Sequence, residues 1–281
     1  MSNHTVFTAY RYQLLPLDRN HTKDLYNDYS PENIIANKNK YFKESLINLP
    51  LTSHKKGRIK ISIANIDHDF FKMQLAPSRP LTRETHDHKR ERVDNWPHID
   101  AYILNHKDDQ FLIIQDRVTA FANTNTVANI ITQGTKSSLE RIGLSLHIEP
   151  LFNESFFWDL VRLYNNRVSW VEFEFVTPNM ANISQTLADT LKSIAKETNA
   201  VKEQLTLRAD PISSLDISED NTTIKGLVDY TSQGAGNIKL KMKGIRKHFQ
   251  TSSSKKKIRL SEIELSGSPS DISEFIRNLL K

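Results

Sequence analysis

Val171-Glu-Phe-Glu-Phe-Val176 decides how the chain is read. Valine and two phenylalanines fall on one side of an extended backbone and two glutamates on the other, the period of two that a strand with one buried and one wet face requires. A strand of this kind belongs to an antiparallel sheet, because the strands of a parallel sheet are covered on both faces. Its closest counterpart is Ile238-Lys-Leu-Lys-Met-Lys243, where Ile238, Leu240 and Met242 face a core and Lys239, Lys241 and Lys243 face out.

Other segments fit around these two. Thr5 to Leu17 predicts a strand ending near Pro16. Ile59 to Ile63 and Phe70 to Leu75 predict a hairpin turning at Asp67-His68-Asp69, and Ile99 to Leu104 with Gln110 to Gln115, followed by Arg117 to Phe121, predict a meander. Strands are also expected at Leu144 to Phe152, Leu205 to Leu207, Leu215 to Ile217, Ile224 to Tyr230 and Ile258 to Leu265. Helices are expected after Ser30-Pro31, after Thr124 or Asn125 with a break at Gly134, after Ser155, after Asn182 on the stripe Ile183, Leu187, Leu191 and Ile194, and after Ser268 or Ser270. Strands and helices mix without regular alternation, so the expected class is α+β. The pattern resets after Pro178. This predicts two lobes, 1–178 and 179–281, the first with an exposed basic loop at 77–97 and the second with a basic hairpin. Trp96, Trp158 and Trp170 read as core or interface residues.

Composition narrows the chemistry. The 281 residues contain no cysteine, which removes disulfide scaffolds, thiolate metal sites and thiol catalysis. No secretory leader and no apolar stretch of spanning length is legible, so a cytoplasmic protein is expected. The net charge is +5, yet between residues 225 and 259 ten lysines and arginines face one acid, Asp229. The rest of the chain is therefore slightly acidic.

Same-face lysines of the Ile238–Lys243 strand stand about 6.5 to 7 Å apart, close to the repeat of phosphates along a nucleic-acid strand. Lys239, Lys241, Lys243, Arg246, Lys247, Lys255, Lys256, Lys257 and Arg259 are the candidate DNA-contacting residues, with Lys55, Lys56 and Arg58 as a second, smaller set. Lysines that solvate an exposed strand edge are the competing reading. No helix-turn-helix, zinc-finger or RNP signature is present, so binding would run through phosphates with little sequence preference.

Motifs for catalysis are weak. His86-Asp-His88 and Asp67-His68-Asp69 hold metal-ligand residue types in turns, without the helical spacing that places two ligands together. A metal-dependent nuclease using His86, His98, Asp100 and Asp109 is the alternative from another class, and a protein-interaction subunit without nucleic-acid binding is a third. Gly234-Ala-Gly236 reads as a hairpin turn, and no phosphate loop or nucleophile elbow occurs. No cofactor is expected.

Several strings, in order, resemble the RexA-like phage-exclusion family: Phe7-Thr-Ala-Tyr-Arg11, Ile66-Asp67 ahead of Phe70-Phe71, Gln110 to Thr124, Leu146-His-Ile-Glu-Pro-Leu-Phe152, Arg167 to Phe175, and Leu205 to Val228. The stretch after Gly236 departs from the family pattern. The resemblance implies a cytoplasmic homodimer that binds double-stranded DNA without sequence preference. It also implies a sensor of phage DNA intermediates that signals to a membrane effector partner and has no enzymatic activity.

Overall fold

Strand β1 (His4–Pro16) opens the chain. The computed structural model describes residues 4–18, 30–49, 53–54, 57–67, 69–177 and 189–280. After β1 come α1 (Pro31–Ala36), α2 (Lys38–Ile47), β2 (Ser53–His54), β3 (Gly57–Asp67), β4 (Phe70–Pro77), β5 (Leu81–Glu84) and β6 (Arg90–Val93). The middle holds β7 (Ile99–Asn105), β8 (Gln110–Gln115), α3 (Thr124–Glu140), β9 (Leu144–Pro150), α4 (Glu154–Leu163) and β10 (Val168–Val176). The last part holds α5 (Asp189–Thr198), β11 (Lys202–Arg208), α6 (Thr222–Tyr230), β12 (Gly236–Met242), β13 (Phe249–Gln250), β14 (Lys257–Ser261), α7 (Glu262–Leu265) and α8 (Pro269–Leu280). The class is α+β, with antiparallel sheets.

Two compact units share the chain, each assembled from separate stretches: Met1–Thr8 with Asn39–Leu139 and Lys257–Lys281, and Ala9–Lys38 with Glu140–Lys256. Strand β1 gives its first residues to one unit and the remainder to the other. Pro178 and the predicted helix start from Asn182 to Leu187 lie outside the described residues.

The first unit is a sheet in the order β14-β1-β8-β7-β4-β3-β2. The expected hairpin is β3–β4, with a register shift between Asn65 and Asp67 next to its turn; His68 lies outside the described residues. Phe70 stacks on Tyr102 at 5.8 Å, and α3 buries Val127, Ile130, Ile131 and Leu139. Helix α3 runs unbroken through Gly134, where the sequence predicted a stop. A Cβ there would stand 3.1 Å from the Leu49 side chain, so the glycine permits close packing rather than ending the helix.

The expected loop at 77–97 contains a hairpin, β5–β6, pairing Arg83 with Glu91 and Glu84 with Arg90. Both faces are solvated, so it shows no apolar period, and opposite charges across the strands take the place of burial. Arg117 to Phe121 is turn rather than strand, and β14 ends at Ser261, where the expected strand gives way to α7. Ser268 caps α8 through its hydroxyl, which accepts the Asp271 N–H at 3.3 Å.

The second unit is built on the four-stranded sheet β11-β10-β12-β13. Its core joins Val171, Phe173 and Phe175 of β10 to Ile238, Leu240 and Met242 of β12, under Phe157 and Trp158 of α4 and Ile224, Leu227 and Val228 of α6. The two strands that led the sequence reading are therefore neighbours. Residues 224–230 are helix, not strand. Asn221 caps them by accepting the Ile224 N–H at 3.1 Å, and the buried spacing of three and four then outweighs the strand preference of their β-branched residues. Leu215 to Ile217 forms no strand, and α4 begins after Asn153 rather than after Ser155. In this unit β9 pairs with Tyr10–Pro16 of β1.

Candidate nucleic-acid interface

Register decides what the wet face of the second unit's sheet carries. Glu172 of β10 lies between Thr206 of β11 and Lys239 of β12, while Trp170 lies between Arg208 and Lys241. The outward glutamates and the outward lysines thus share one face. Lys239 Nζ stands 2.7 Å from Glu172 Oε1 and 3.7 Å from Glu174. The Glu172 hydrogen bond in particular pushes the Lys239 ammonium above its ordinary value. Glu172 is 8% exposed and also accepts from the Gln204 amide. Lys202 sits 3.4 Å from both Glu149 and Glu174. This part of the face is neutralised by contacts between distant segments.

One row further along the sheet the acids run out. Arg208, Trp170 and Lys241 are in register, so the two cations flank the indole about 10 Å apart. The His248 ring lies against Trp170, tilted by 35° with 5.3 Å between ring centres. From here β12 leads through Lys243, Gly244, Arg246 and Lys247 to β13. Gly244 has φ +76, a left-handed turn conformation that suits glycine. Arg167 closes the group: its guanidinium donates to the Lys243 carbonyl at 2.8 Å. Among the described residues none of Arg167, Arg208, Lys241, Lys243, Arg246 and Lys247 has an acidic partner.

The remaining predicted residues divide. Lys255 donates to the Tyr10 hydroxyl at 3.0 Å and lies over that ring. Lys256 is half-buried, and desolvation lowers its ammonium below the ordinary value. Lys257 and Arg259 belong to the first unit, where Lys257 pairs with Asp116 at 2.8 Å and Arg259 is exposed on β14. Arg58 is the second residue of β3, opposite Ser53, also in the first unit. Lys55 and Lys56 lie outside the described residues. The structure therefore brings together Lys241, Lys243, Arg246 and Lys247 of the predicted set, with Lys239 alongside but paired. It adds Arg167, Arg208 and the Trp170–His248 ring pair. Arg167 and Arg208 stand alone among neutral or acidic neighbours in the sequence, and only strand pairing places them with the hairpin.

The residues of the nuclease alternative are in the first unit, and Asp100, Asp109 and His86 are engaged in structural contacts. Asp100 pairs with Lys72 at 3.0 Å and accepts from Gln74, Asp109 pairs with Arg277 at 3.0 Å, and His86 contacts Asp87. Among the described residues no group of three histidines or carboxylates assembles around a common point, and no helix is long and apolar enough to cross a membrane. Trp158 is in the core, Trp170 on the wet face, and Trp96 under the Lys60 ammonium at 4.7 Å. No protein-family model, no curated protein and no solved structure matches the chain.

Proposed function

We propose that this protein binds double-stranded DNA without sequence preference through the cationic end of the β11-β10-β12-β13 sheet. The observation that carries the reading is the set Arg167, Arg208, Lys241, Lys243, Arg246 and Lys247, gathered from three segments with no acid paired to any of them among the described residues. Gathering like charges raises the energy of the free protein, and a polyanion offsets that cost by releasing its counterions. Strand and turn cations meet phosphates as point charges and read no base edges, which makes binding indifferent to sequence.

The resemblance to the RexA-like family supports the wider role: a non-enzymatic, cytoplasmic, homodimeric sensor in phage exclusion that passes DNA occupancy to a membrane effector. Fluorescence anisotropy with labelled duplexes of unrelated sequence tests the core of this reading. Four phosphate contacts predict about 100-fold weaker binding at about 200 mM than at about 50 mM salt. The triple substitution K241A/R246A/K247A lowers affinity on every duplex alike and flattens the salt slope by about 0.9 per cation removed. Absence of binding at low salt overturns the reading. Plasmid cleavage dependent on Mg²⁺ or Mn²⁺ overturns the non-enzymatic part.

A further inference from the structure

Phosphate contacts make no use of Ile212. It is 93% exposed, the most exposed large apolar side chain among the described residues. It stands at the tip of the loop that leaves β11 beside Arg208. An isoleucine held in water forgoes the gain that burial would provide, and this loop does not let it fold back.

The loop is braced on every side. Ala209 N–H donates to the Ser169 carbonyl at 3.0 Å, and Leu215 N–H donates to the Val168 carbonyl at 2.7 Å. The Ser214 hydroxyl donates to the Asn166 carbonyl at 2.5 Å. The exposed Asp210 carboxylate accepts the Ile212 N–H at 3.1 Å, and Pro211 stiffens the approach by fixing its own φ. Lys243 then ties the tip to the cationic end, its ammonium donating to the Pro211 carbonyl at 3.1 Å. Arg167 in turn holds the Lys243 carbonyl. The apolar tip and its flanking cations are one preorganised piece. Besides Asp210, the acid that follows in this stretch is Asp216.

We propose that Pro211-Ile212 is a wedge that enters the base stack of DNA while the surrounding cations hold the phosphates on either side. The preferred ligand is then duplex DNA with a locally weakened step, such as a mismatch or a gap. This rests on the DNA-binding reading above. Apolar side chains inserted between base steps unstack and kink the duplex. The unstacking cost is smallest where a base is already mispaired or unpaired. A lone isoleucine suits this task because one side chain fills one step. A lipid surface needs more apolar area or a second anchoring signal for stable binding.

The test uses the full chain and two duplexes of identical sequence except for one central mismatch, with 2-aminopurine beside the mismatch and a donor–acceptor pair at the ends. Wild type binds the mismatched duplex about tenfold more tightly, raises the 2-aminopurine fluorescence and shortens the end-to-end distance. I212A and I212S bind the perfect duplex as wild type does, lose the preference and leave the fluorescence unchanged; I212L keeps all three signals. The exposed tip makes these substitutions neutral to folding, which thermal denaturation checks. Equal wild-type affinity for both duplexes, or a preference that survives in I212A, overturns the wedge while leaving DNA binding intact. Failure of wild type to bind either duplex overturns the underlying reading instead. Binding to phosphatidylserine vesicles that is lost in I212A, without any mismatch preference, overturns the wedge in favour of a membrane-contacting loop.

Discussion

Lys239 and Lys241 stand two residues apart on the same face of β12 and have different tasks. Lys239 neutralises Glu172, which is almost wholly buried, whereas Lys241 has no acid beside it among the described residues. K239A strands a buried carboxylate and is expected to cost about 1 to 3 kcal/mol of stability with little effect on DNA affinity. K241A is expected to do the reverse. Thermal denaturation and anisotropy on the same two variants check the separation. His147 offers a second prediction. Burial first, and then the charge of Lys202, holds its imidazole down at about 4 against an ordinary 6.5, and the Ser145 hydroxyl lies 3.0 Å from its Nε2. The unfolded chain takes up a proton near pH 6.5 and the folded chain does not. The associated stability is therefore complete above pH 6.5 and is lost as pH falls toward 4, by roughly 3 kcal/mol in all. Glu149 works in the opposite sense at the acid end, because burial raises its carboxyl above the ordinary 4.5 and the folded chain binds that proton first. The urea midpoint is expected to fall between pH 7 and pH 5 in wild type and to fall less in His147→Asn.

The β10–β12 pair is the element on which the candidate interface depends. It places Glu172 against Lys239 and Trp170 against Lys241, and its inner face supplies most of the second unit's sheet core. Gly236 begins β12 where the two backbones come closest. An added Cβ would stand 2.0 Å from the Glu174 carbonyl oxygen and 2.8 Å from the Phe175 Cα, both backbone atoms that cannot move aside without breaking the ladder. G236A is therefore expected to destabilise the protein by about 3 kcal/mol or more and to abolish DNA binding with it. A lowered melting temperature together with lost near-ultraviolet circular dichroism would check this. Gly234-Ala-Gly236, which reads in the sequence as a hairpin turn, instead lies where the helical turn Thr231–Ala235 leads from α6 into β12. Its second glycine is required by an approach of strands more than sixty residues apart, which no local pattern records.

For the molecule as a whole, the two units are not consecutive halves of the chain. The second unit needs Tyr10–Pro16 of β1 to pair with β9, and β10 to stand between β11 and β12. A fragment of residues 179–281 keeps β11 and β12 but lacks the strand that joins them. It also lacks α4, which supplies Phe157 and Trp158 to the core. Such a fragment is expected to be unfolded, with collapsed amide dispersion in its NMR spectrum, whereas two independent lobes divided at Pro178 would leave it folded. The same discontinuity separates the predicted cations: Lys257 and Arg259 belong to one unit, while Lys241 to Lys256 belong to the other.

What the sequence determined by itself was the set of local periods. Alternation in Val171–Val176 and Ile238–Lys243, the β3–β4 hairpin, the β7–β8 meander and the caps at Ser30 and Ser268 follow from neighbours within a few residues, and they suffice for the α+β class. The same period of two marked the lysine face, because outward orientation is also a local property. Tertiary structure decided which of those charges remain available. Whether a lysine meets a carboxylate depends on which strand lies beside it and in what register, and Glu172 is 67 residues from Lys239. Residues 224–230 show the same division of labour. Their composition suits a strand, and the Asn221 cap together with packing of Ile224, Leu227 and Val228 in the core makes the helix the lower-energy choice.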